Sequence, residues 1–301
     1  MRIVTTRQQV RALRDEVASR GGRIGFVPTM GALHAGHLSL VERARRSCDT
    51  VVASVFVNPL QFGPGEDFER YPRDREGDAA RLAAAGADVS WFAEVEDMYA
   101  PDHCSYVVQE GPALDLEGAA RPTHFRGVLT VVLKLLNVLR PAQLFLGRKD
   151  YQQTVVIRRM VRDLDLETEV VVCPTVREPG GLAMSSRNAY LRPDERKRAC
   201  VLWQAIEATQ RAHAEGERDP ERLERILRSP LEACPGLTLE YAVVRDGETL
   251  QPLRGPVERG VCLVAARLGA ARLIDNGLLP AAAPDPVLDP AQWAARLQTD
   301  G

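Results

Sequence analysis

The sequence predicts an α/β protein: a doubly wound parallel sheet followed by a smaller α+β domain. Three observations carry that prediction. Apolar, β-branched runs with no polar alternation recur between segments of helical periodicity, as expected of strands covered on both faces. Gly-rich or Pro-marked turns punctuate the alternation. Past residue 176 the pattern changes to strands in succession, and a chain of 301 residues has room for two domains at roughly 150 residues each.

Thr5 or Thr6 caps a helix expected from about 6 to 20, because Val10, Leu13 and Val17 recur at helical spacing and Gly21-Gly22 supply a stop. IGFV (24–27) is the first strand and runs into Pro28 and a Gly-rich turn. Leu38 and Val41 then set the apolar face of a helix in HLSLVERARR. TVVASVFV (50–57) is a strand, an Ala-rich helix covers 74–86, and DVSWF is the next strand. Beyond a less regular segment at 93–122, FRGVLTVVLKLLNVLR is a strongly apolar helix ended by Pro141. QLFLG is a strand, DYQQTVVIRRMVRDL a helix and TEVVVCP a strand. Five or six strands with right-handed crossovers follow from this alternation. A charged helix over 193–215 then leads to LEYAVVR, VCLVAAR and ARLIDN, expected as antiparallel strands joined by short turns. The expected division is a sheet domain over 1–180, a smaller domain over 181–278, and a Pro/Ala-rich tail over 279–301. The tail is read as adding little to the core beyond one short helix.

Lys plus Arg number 39 and Asp plus Glu 41, so the net charge of −2 argues against a broadly basic surface for nucleic acid or membrane. Any anionic ligand must be held by local charge. An aromatic content of 5% also counts against base-stacking surfaces. The six cysteines are scattered without a C-x-x-C pair and read as reduced thiols. The first residues are interrupted by Arg2, Arg7, Arg11 and Arg14, unlike a signal peptide, and no apolar run approaches the ~20 residues of a membrane span. A cytoplasmic protein is the expectation.

Chemistry concentrates at strand ends. PTMGALHAGH (28–37) lies between the first strand and its helix, where a helix N-terminus offers N–H groups to phosphate. Gly31 and Gly36 are read as allowing close backbone approach, and His34 and His37 as phosphate donors. A lone His in such a turn is more often a cap or a satisfied core residue. A metal reading of H-x-x-H fails for want of nearby Cys or carboxylate ligands. In LGRKDYQQ (146–153), Lys149 suits a phosphate, while Asp150 serves equally well as a cap. LAMSSRN (182–188), beside Gly180-Gly181, reads as a flexible polyanion-binding loop. FVNPLQF (56–62) places Asn58 and Gln61 past a central strand, though Asn-Pro is itself a turn signal. Three phosphate-compatible stations suggest a nucleotide triphosphate, and neither G-x-G-x-x-G nor a P-loop is present to cradle it.

HAGH after a first strand, paired with MSSRN, resembles the HIGH and KMSKS-type pair of the nucleotidyltransferase superfamily. The fuller set is PTMGALHAGHLSLV, FVNPLQF, ERYPR, HFRGV, KDYQQ, GLAMSSRNAYL and ARLIDN. Over about residues 3 to 277 it is similar to the pantothenate synthetase (pantoate–β-alanine ligase) family. The resemblance implies a Rossmann-like nucleotide-binding domain and a two-step reaction. Pantoate and ATP give pantoyl adenylate and pyrophosphate, and β-alanine then gives pantothenate and AMP. It implies charge stabilisation by His34, His37, Lys149, Ser185, Ser186 and Arg187, with Mg²⁺ on the triphosphate and His37 as the central donor. ATP contacts carry over to Met30, Gly31, Ala32, Leu33, His34, Ala35, Gly36 and His37. They also carry over to Gly147, Arg148, Lys149 and Asp150, to Val176, and to Met184, Ser185, Ser186 and Arg187. Gln61 and Gln153 match pantoate-holding positions, and Gln61 also matches the β-alanine position. A homodimer is implied as well. Because an acyl adenylate hydrolyses, the 58–72 loop and the C-terminal domain are expected to close over the site.

Two departures stand out. Arg148 and Gly180 occupy places where the family commonly has Glu and Asp, so ATP affinity is the property most exposed to change. The rival readings are a nucleotidyltransferase acting on a phosphorylated substrate and a non-catalytic nucleotide sensor or RNA-binding relative. The neutral amides of FVNPLQF and KDYQQ count against the first.

Overall fold

The computed structural model describes residues 1–288 apart from Pro64, Asp67 and Pro284. The short helix expected near the C-terminus lies outside these residues. Among the described residues two compact units form: Met1–Gly147 with Gln152–Cys173, and Arg148–Tyr151 with 174–288. The expected boundary at 180 falls inside the second unit, which also takes in the short turn at 148–151.

The first unit is built on a six-stranded parallel sheet of β1 (Arg2–Val4), β2 (Ile24–Thr29), β3 (Thr50–Val55), β4 (Val89–Phe92), β5 (Gln143–Gly147) and β6 (Glu169–Cys173), in the order β1-β4-β3-β2-β5-β6. β3 and β4 are buried almost throughout, which explains their unalternated apolar sequences. β1, a three-residue edge strand, is too short to show a period. Around the sheet run α1 (Arg7–Ser19), α2 (Ala35–Arg45), α3 (Arg75–Ala84), the single turns α4 (Val95–Met98) and α5 (Glu117–Ala120), α6 (His124–Leu139) and α7 (Tyr151–Asp163). Right-handed crossovers in this strand order place α1, α6 and α7 on one face and α2 and α3 on the other. One apolar cluster accordingly joins Val10 and Leu13 of α1, Phe26 of β2, Trp91 of β4, Leu129 and Leu136 of α6, and Ile157 of α7. The strand order reverses between β2 and β5, and the carboxyl ends of strands at such a switch point are where ligands bind. Both phosphate-compatible segments of the sheet domain, 28–37 and 146–153, begin there.

The second unit carries an antiparallel sheet of β7 (Leu237–Asp246), β8 (Gly260–Leu268) and β9 (Ala271–Leu279). Only β8 and β9 are joined by a short turn. The β7–β8 connection spans 247–259, longer than expected. The charged helix expected over 193–215 is two helices, α8 (Pro193–Ala199) and α9 (Val201–Ala214). Cys200 N donates to Lys197 O and tightens the last turn of α8. A further helix, α10 (Pro220–Glu232), went unread in the sequence although its signals are plain. Asp219 caps it by accepting from Glu221 N and Arg222 N, Pro220 opens it, and Leu223, Leu227 and Leu231 form one buried stripe. That stripe packs with Leu202 and Ile206 of α9 and Val244 and Val264 of the sheet. Leu227→Ala is expected to cost about 2–5 kcal/mol in urea unfolding. A loss below about 1 kcal/mol would contradict this packing.

Candidate active site

β2 leaves the sheet at Thr29, whose Oγ1 donates to Ser54 O (2.7 Å) and accepts from Gly31 N (3.3 Å). The next two residues are both left-handed, Gly31 at φ +85° and Ala32 at φ +50°. For Ala32 this conformation is strained, and the surroundings must enforce it. Asp78, a buried carboxylate on α3, does so by accepting from Ala32 N (3.0 Å) and Leu33 N (2.9 Å), with Arg81 Nη1 at 3.3 Å as counter-charge. A Cβ on Gly31 would lie 2.8 Å from Asp78 Oδ2 and 3.1 Å from Val55 Cγ1. The missing side chain at Gly31 therefore makes room for the Asp78 carboxylate. Met30 is half-buried, and the side chains of Leu33 and Ala35 lie in the core.

His34 caps α2. Its Nδ1 accepts from Gly36 N (3.1 Å) and its carbonyl from His37 N (2.8 Å), while His34 N donates to His37 Nδ1 (3.4 Å). The expectation of open N–H groups at this helix start is thus corrected: two of them are satisfied within the turn. Because each Nδ1 accepts a backbone N–H, each neutral ring carries its proton on Nε2, as a donor. The rings lie together, centroids 4.0 Å apart.

Past β3, Asn58 is fully buried and orders the turn Pro59–Gln61. Its Nδ2 donates to Gln61 Oε1 (3.0 Å) and Gly127 O (3.1 Å), and its Oδ1 accepts from Leu60 N (3.3 Å) and Tyr99 Oη (2.8 Å). With Oε1 taken, what Gln61 presents is its Nε2 donor. Burial pushes Tyr99 upward from its ordinary value, so the phenol remains protonated as a donor. α6 approaches so closely that a Cβ on Gly127 would sit 2.0 Å from Leu60 O. His124 Nδ1 lies 3.1 Å from Gln61 O and its Nε2 3.2 Å from Arg121 Nη1. Arg121 also donates to Gln61 O (3.1 Å) and to both Glu66 carboxylate oxygens (2.7 and 2.6 Å). The HFRGV segment, carried only by resemblance in the sequence, thus anchors the Gln61 turn. In ERYPR, Arg73 donates to Phe68 O and Tyr71 O (3.1 Å each) and lies 5.2 Å from the centroid of the Phe68 ring, while Phe62 packs edge-on against Phe68 and Tyr71.

At the start of α7 the two glutamines diverge. Gln152 is structural, accepting from Glu117 N (2.9 Å) and donating to Pro112 O (2.8 Å) and Asp115 O (2.7 Å). Gln153 is half-buried and makes no side-chain hydrogen bond among the described residues. A Cβ on Gly147, at the end of β5, would meet nothing within 4 Å, leaving room at the strand end.

In the second unit, Asn276 Nδ2 donates to both Arg148 O and Lys149 O (2.9 Å each), which fixes the turn bearing Lys149. Asp150 lies 3.5 Å from Lys149 Nζ and is half-exposed. Arg148 forms an ion pair with Asp285. Residues 176–184 form a stapled hairpin, and the expected polyanion-binding loop over 182–188 takes in its second strand and the 3-10 turn at Ser186–Tyr190. Met184 N donates to Val176 O (2.9 Å), Glu178 N to Leu182 O (2.8 Å), and Glu178 accepts from Asn188 Nδ2 (2.8 Å) and Arg196 Nε (2.7 Å). Gly180 and Gly181 turn it, both at φ +94°, and a Cβ on Gly181 would overlap Trp203 at 2.2 Å. Ser185 Oγ accepts from Arg187 N (3.3 Å), which leaves its O–H able to donate. Ser185, Ser186 and Arg187 are half-buried. Among the described residues no group of three or more His, Cys, Asp or Glu is arranged to hold a metal.

Sequence reasoning missed Asp78, Asn276, Arg177 and Glu178 as supporting groups. Asp78 gave no local signal, since its partners lie 45 and 46 residues away. His124 supports a test of the Gln61 anchor. Burial first, and the Arg121 charge second, push it from 6.5 down to about 4. The folded state therefore keeps it neutral while the unfolded chain takes up a proton below about pH 6.5. Its contribution to stability is complete above that value and falls as pH drops toward 4. In urea unfolding, the unaltered chain should lose more stability between pH 7 and pH 5 than His124→Asn. Equal losses would contradict a buried neutral imidazole.

The family model for pantoate-beta-alanine ligase matches residues 2–278. A pantothenate synthetase of Herpetosiphon aurantiacus is 50% identical over 277 residues, 92% of this chain and 99% of the relative. One from Rubrobacter xylanophilus is 52% identical over 281 residues, 91% of this chain and 97% of the relative. The crystal structure of pantothenate synthetase from Thermus thermophilus aligns with a TM-score of 0.86 at 49% identity, covering 92% of this chain and 98% of the other. A pantoate-beta-alanine ligase from Francisella tularensis, complexed with beta-gamma ATP and beta-alanine, aligns at 0.75 with 35% identity, covering 92% and 97%. The chain belongs to the pantoate–β-alanine ligase family.

Proposed function

We propose that this protein is the ATP-dependent ligase that joins pantoate to β-alanine through a pantoyl adenylate. The observation that carries the reading is on the first unit. At the switch point of the sheet, a turn locked by Asp78 holds two imidazoles protonated on Nε2, and Asn58 orients the neutral Gln61 amide as a donor. The first set suits phosphate oxygens, and the second suits hydroxyl and carboxylate oxygens without adding charge.

In the first step a pantoate carboxylate oxygen attacks the α-phosphorus of ATP. The bond to the bridging oxygen breaks, and pyrophosphate leaves with the electron pair. Two anions must meet, so donors aimed at the charge that develops on the phosphates supply the acceleration. We assign that task to His34 and His37 on the first unit, and to Lys149, Ser185, Ser186 and Arg187 on the second. In the second step the β-alanine amine attacks the acyl carbon, the bond to AMP breaks, and the amine gives up a proton as the amide forms. Gln61 and Gln153 hold pantoate, and holding both reactants in line removes much of the entropic barrier.

The donor set consists of N–H, O–H and cationic groups, which fit a polyphosphate better than a bare cation. A magnesium ion is therefore expected to arrive on the triphosphate as part of the substrate, where it neutralises phosphate charge. We also propose a homodimer, and a cytoplasmic setting in keeping with six free cysteines. No helix among the described residues is long and apolar enough to cross a membrane.

Incubation with ATP, Mg²⁺ and pantoate should release pyrophosphate, and AMP should appear only when β-alanine is added. ATP binding without turnover would overturn the ligase reading. His37→Ala should leave the unfolding midpoint near that of the unaltered chain and lower the adenylation rate by about 10²–10³-fold. An unchanged rate would make the imidazole purely structural. Gln61→Ala should raise the KM for pantoate far more than that for ATP, and equal increases would contradict its assignment.

A further inference from the structure

The family match ends at residue 278, yet segment 285–288 is built into the second unit. Pro286 O accepts from Arg177 N (2.9 Å) and Leu288 N donates to Arg177 O (2.9 Å), so Val287 pairs in parallel with Arg177. The tail thus lies along one edge of the segment whose other edge pairs Arg177 with Ala183. Its apolar contribution is small, as expected, since Val287 is exposed. Its polar contribution was not expected. The Asp285 side chain, 3% exposed, accepts from Arg177 Nε at 2.9 Å and pairs through its other oxygen with Arg148. Arg177 is itself 1% exposed, held bidentately by Asp275 at 2.7 and 3.0 Å and stacked over Trp203.

Two guanidinium groups and two carboxylates therefore make a neutral buried cluster, and one carboxylate comes from outside the family match. Removing one partner from such a set leaves a buried charge without compensation. The cluster joins two segments that matter. Arg148 precedes Lys149, and Arg177 follows Val176 in the first strand of the hairpin that leads to Ser185–Arg187.

We propose that Asp285 is a positioning residue for the nucleotide, acting through Arg148 and Arg177, and that segment 285–288 straps the Lys149 turn to the hairpin that leads to Ser185–Arg187 within the second unit. The inference rests on the ligase reading for the identity of that nucleotide. It accounts for Arg148: the side chain that departs from the family pattern is neutralised by the tail rather than added to the cations offered to phosphate.

Calorimetric titration with ATP, together with steady-state kinetics, tests the strap on the full chain, on Asp285→Asn and on a chain ending at Leu279. Asp285→Asn is expected to weaken ATP binding by roughly three- to tenfold and the truncation by at least as much, with the KM for pantoate changed less than about twofold. Arg148→Gln should produce a loss no larger than that of Asp285→Asn and add little in the Asp285→Asn background, because Asp285→Asn already breaks the Arg148 pairing along with that to Arg177. Trp203 emission should shift in the truncated chain even without nucleotide. If ATP does not bind the unaltered chain, both this inference and the ligase reading fail. If it binds and the altered chains bind it equally well or more tightly, or if the Arg148 and Asp285 losses are additive, this inference alone fails.

Discussion

The buried carboxylate of Asp78 is the constraint on which the first half of the site depends. Two successive left-handed residues, one of them alanine, do not persist unless something holds them. Asp78 meets both following N–H groups and takes its counter-charge from Arg81. That turn sets where α2 begins, and α2 begins on His34. The chain thus uses an anion of its own to shape a turn whose neighbouring rings are the ones proposed to donate to another anion. The net charge of −2 is compatible with a polyanionic substrate because the donors are gathered locally.

A second theme is that the groups assigned to substrate are held by neutral or fully compensated partners. Asn58 orients Gln61 through an amide, His124 reaches the same turn as a neutral ring, and Arg121 is paired with Glu66. In the second unit, Asn276 fixes the Lys149 turn through two carbonyls, and Arg177 is matched by two carboxylates. Supporting residues without net charge leave the developing charge of the reaction to the residues that face it.

Much of this fold was legible in the sequence. The apolar runs at 50–55 and 143–147 have no alternation because the strands are covered on both faces, and the Pro and Gly stops fall where helices end. What escaped was local or distant in a particular way. β1 has three residues and no period. α10 is the exception, since its Asp219 cap and its leucine stripe are both local signals that the sequence carries openly. The residues proposed for chemistry, such as His37 and Lys149, stand out by motif, whereas a residue that acts on another far along the chain does not. Asp78 acts on Ala32, Asn276 on Lys149, and Asp285 on Arg148. Each pairing exists only after the strands are ordered, and no spacing in the sequence announces it. His34 shows a further limit: the cap reading and the donor reading describe two nitrogens of one ring.

If the Asp78-locked turn prepares the imidazole pair for adenylation, pantoate-dependent exchange of labelled pyrophosphate into ATP, without β-alanine, should fall by at least about tenfold in the Asp78→Asn chain while circular dichroism shows the sheet domain folded, because one N–H acceptor is lost and the turn relaxes. Exchange at the unaltered rate in a folded Asp78→Asn chain would contradict it.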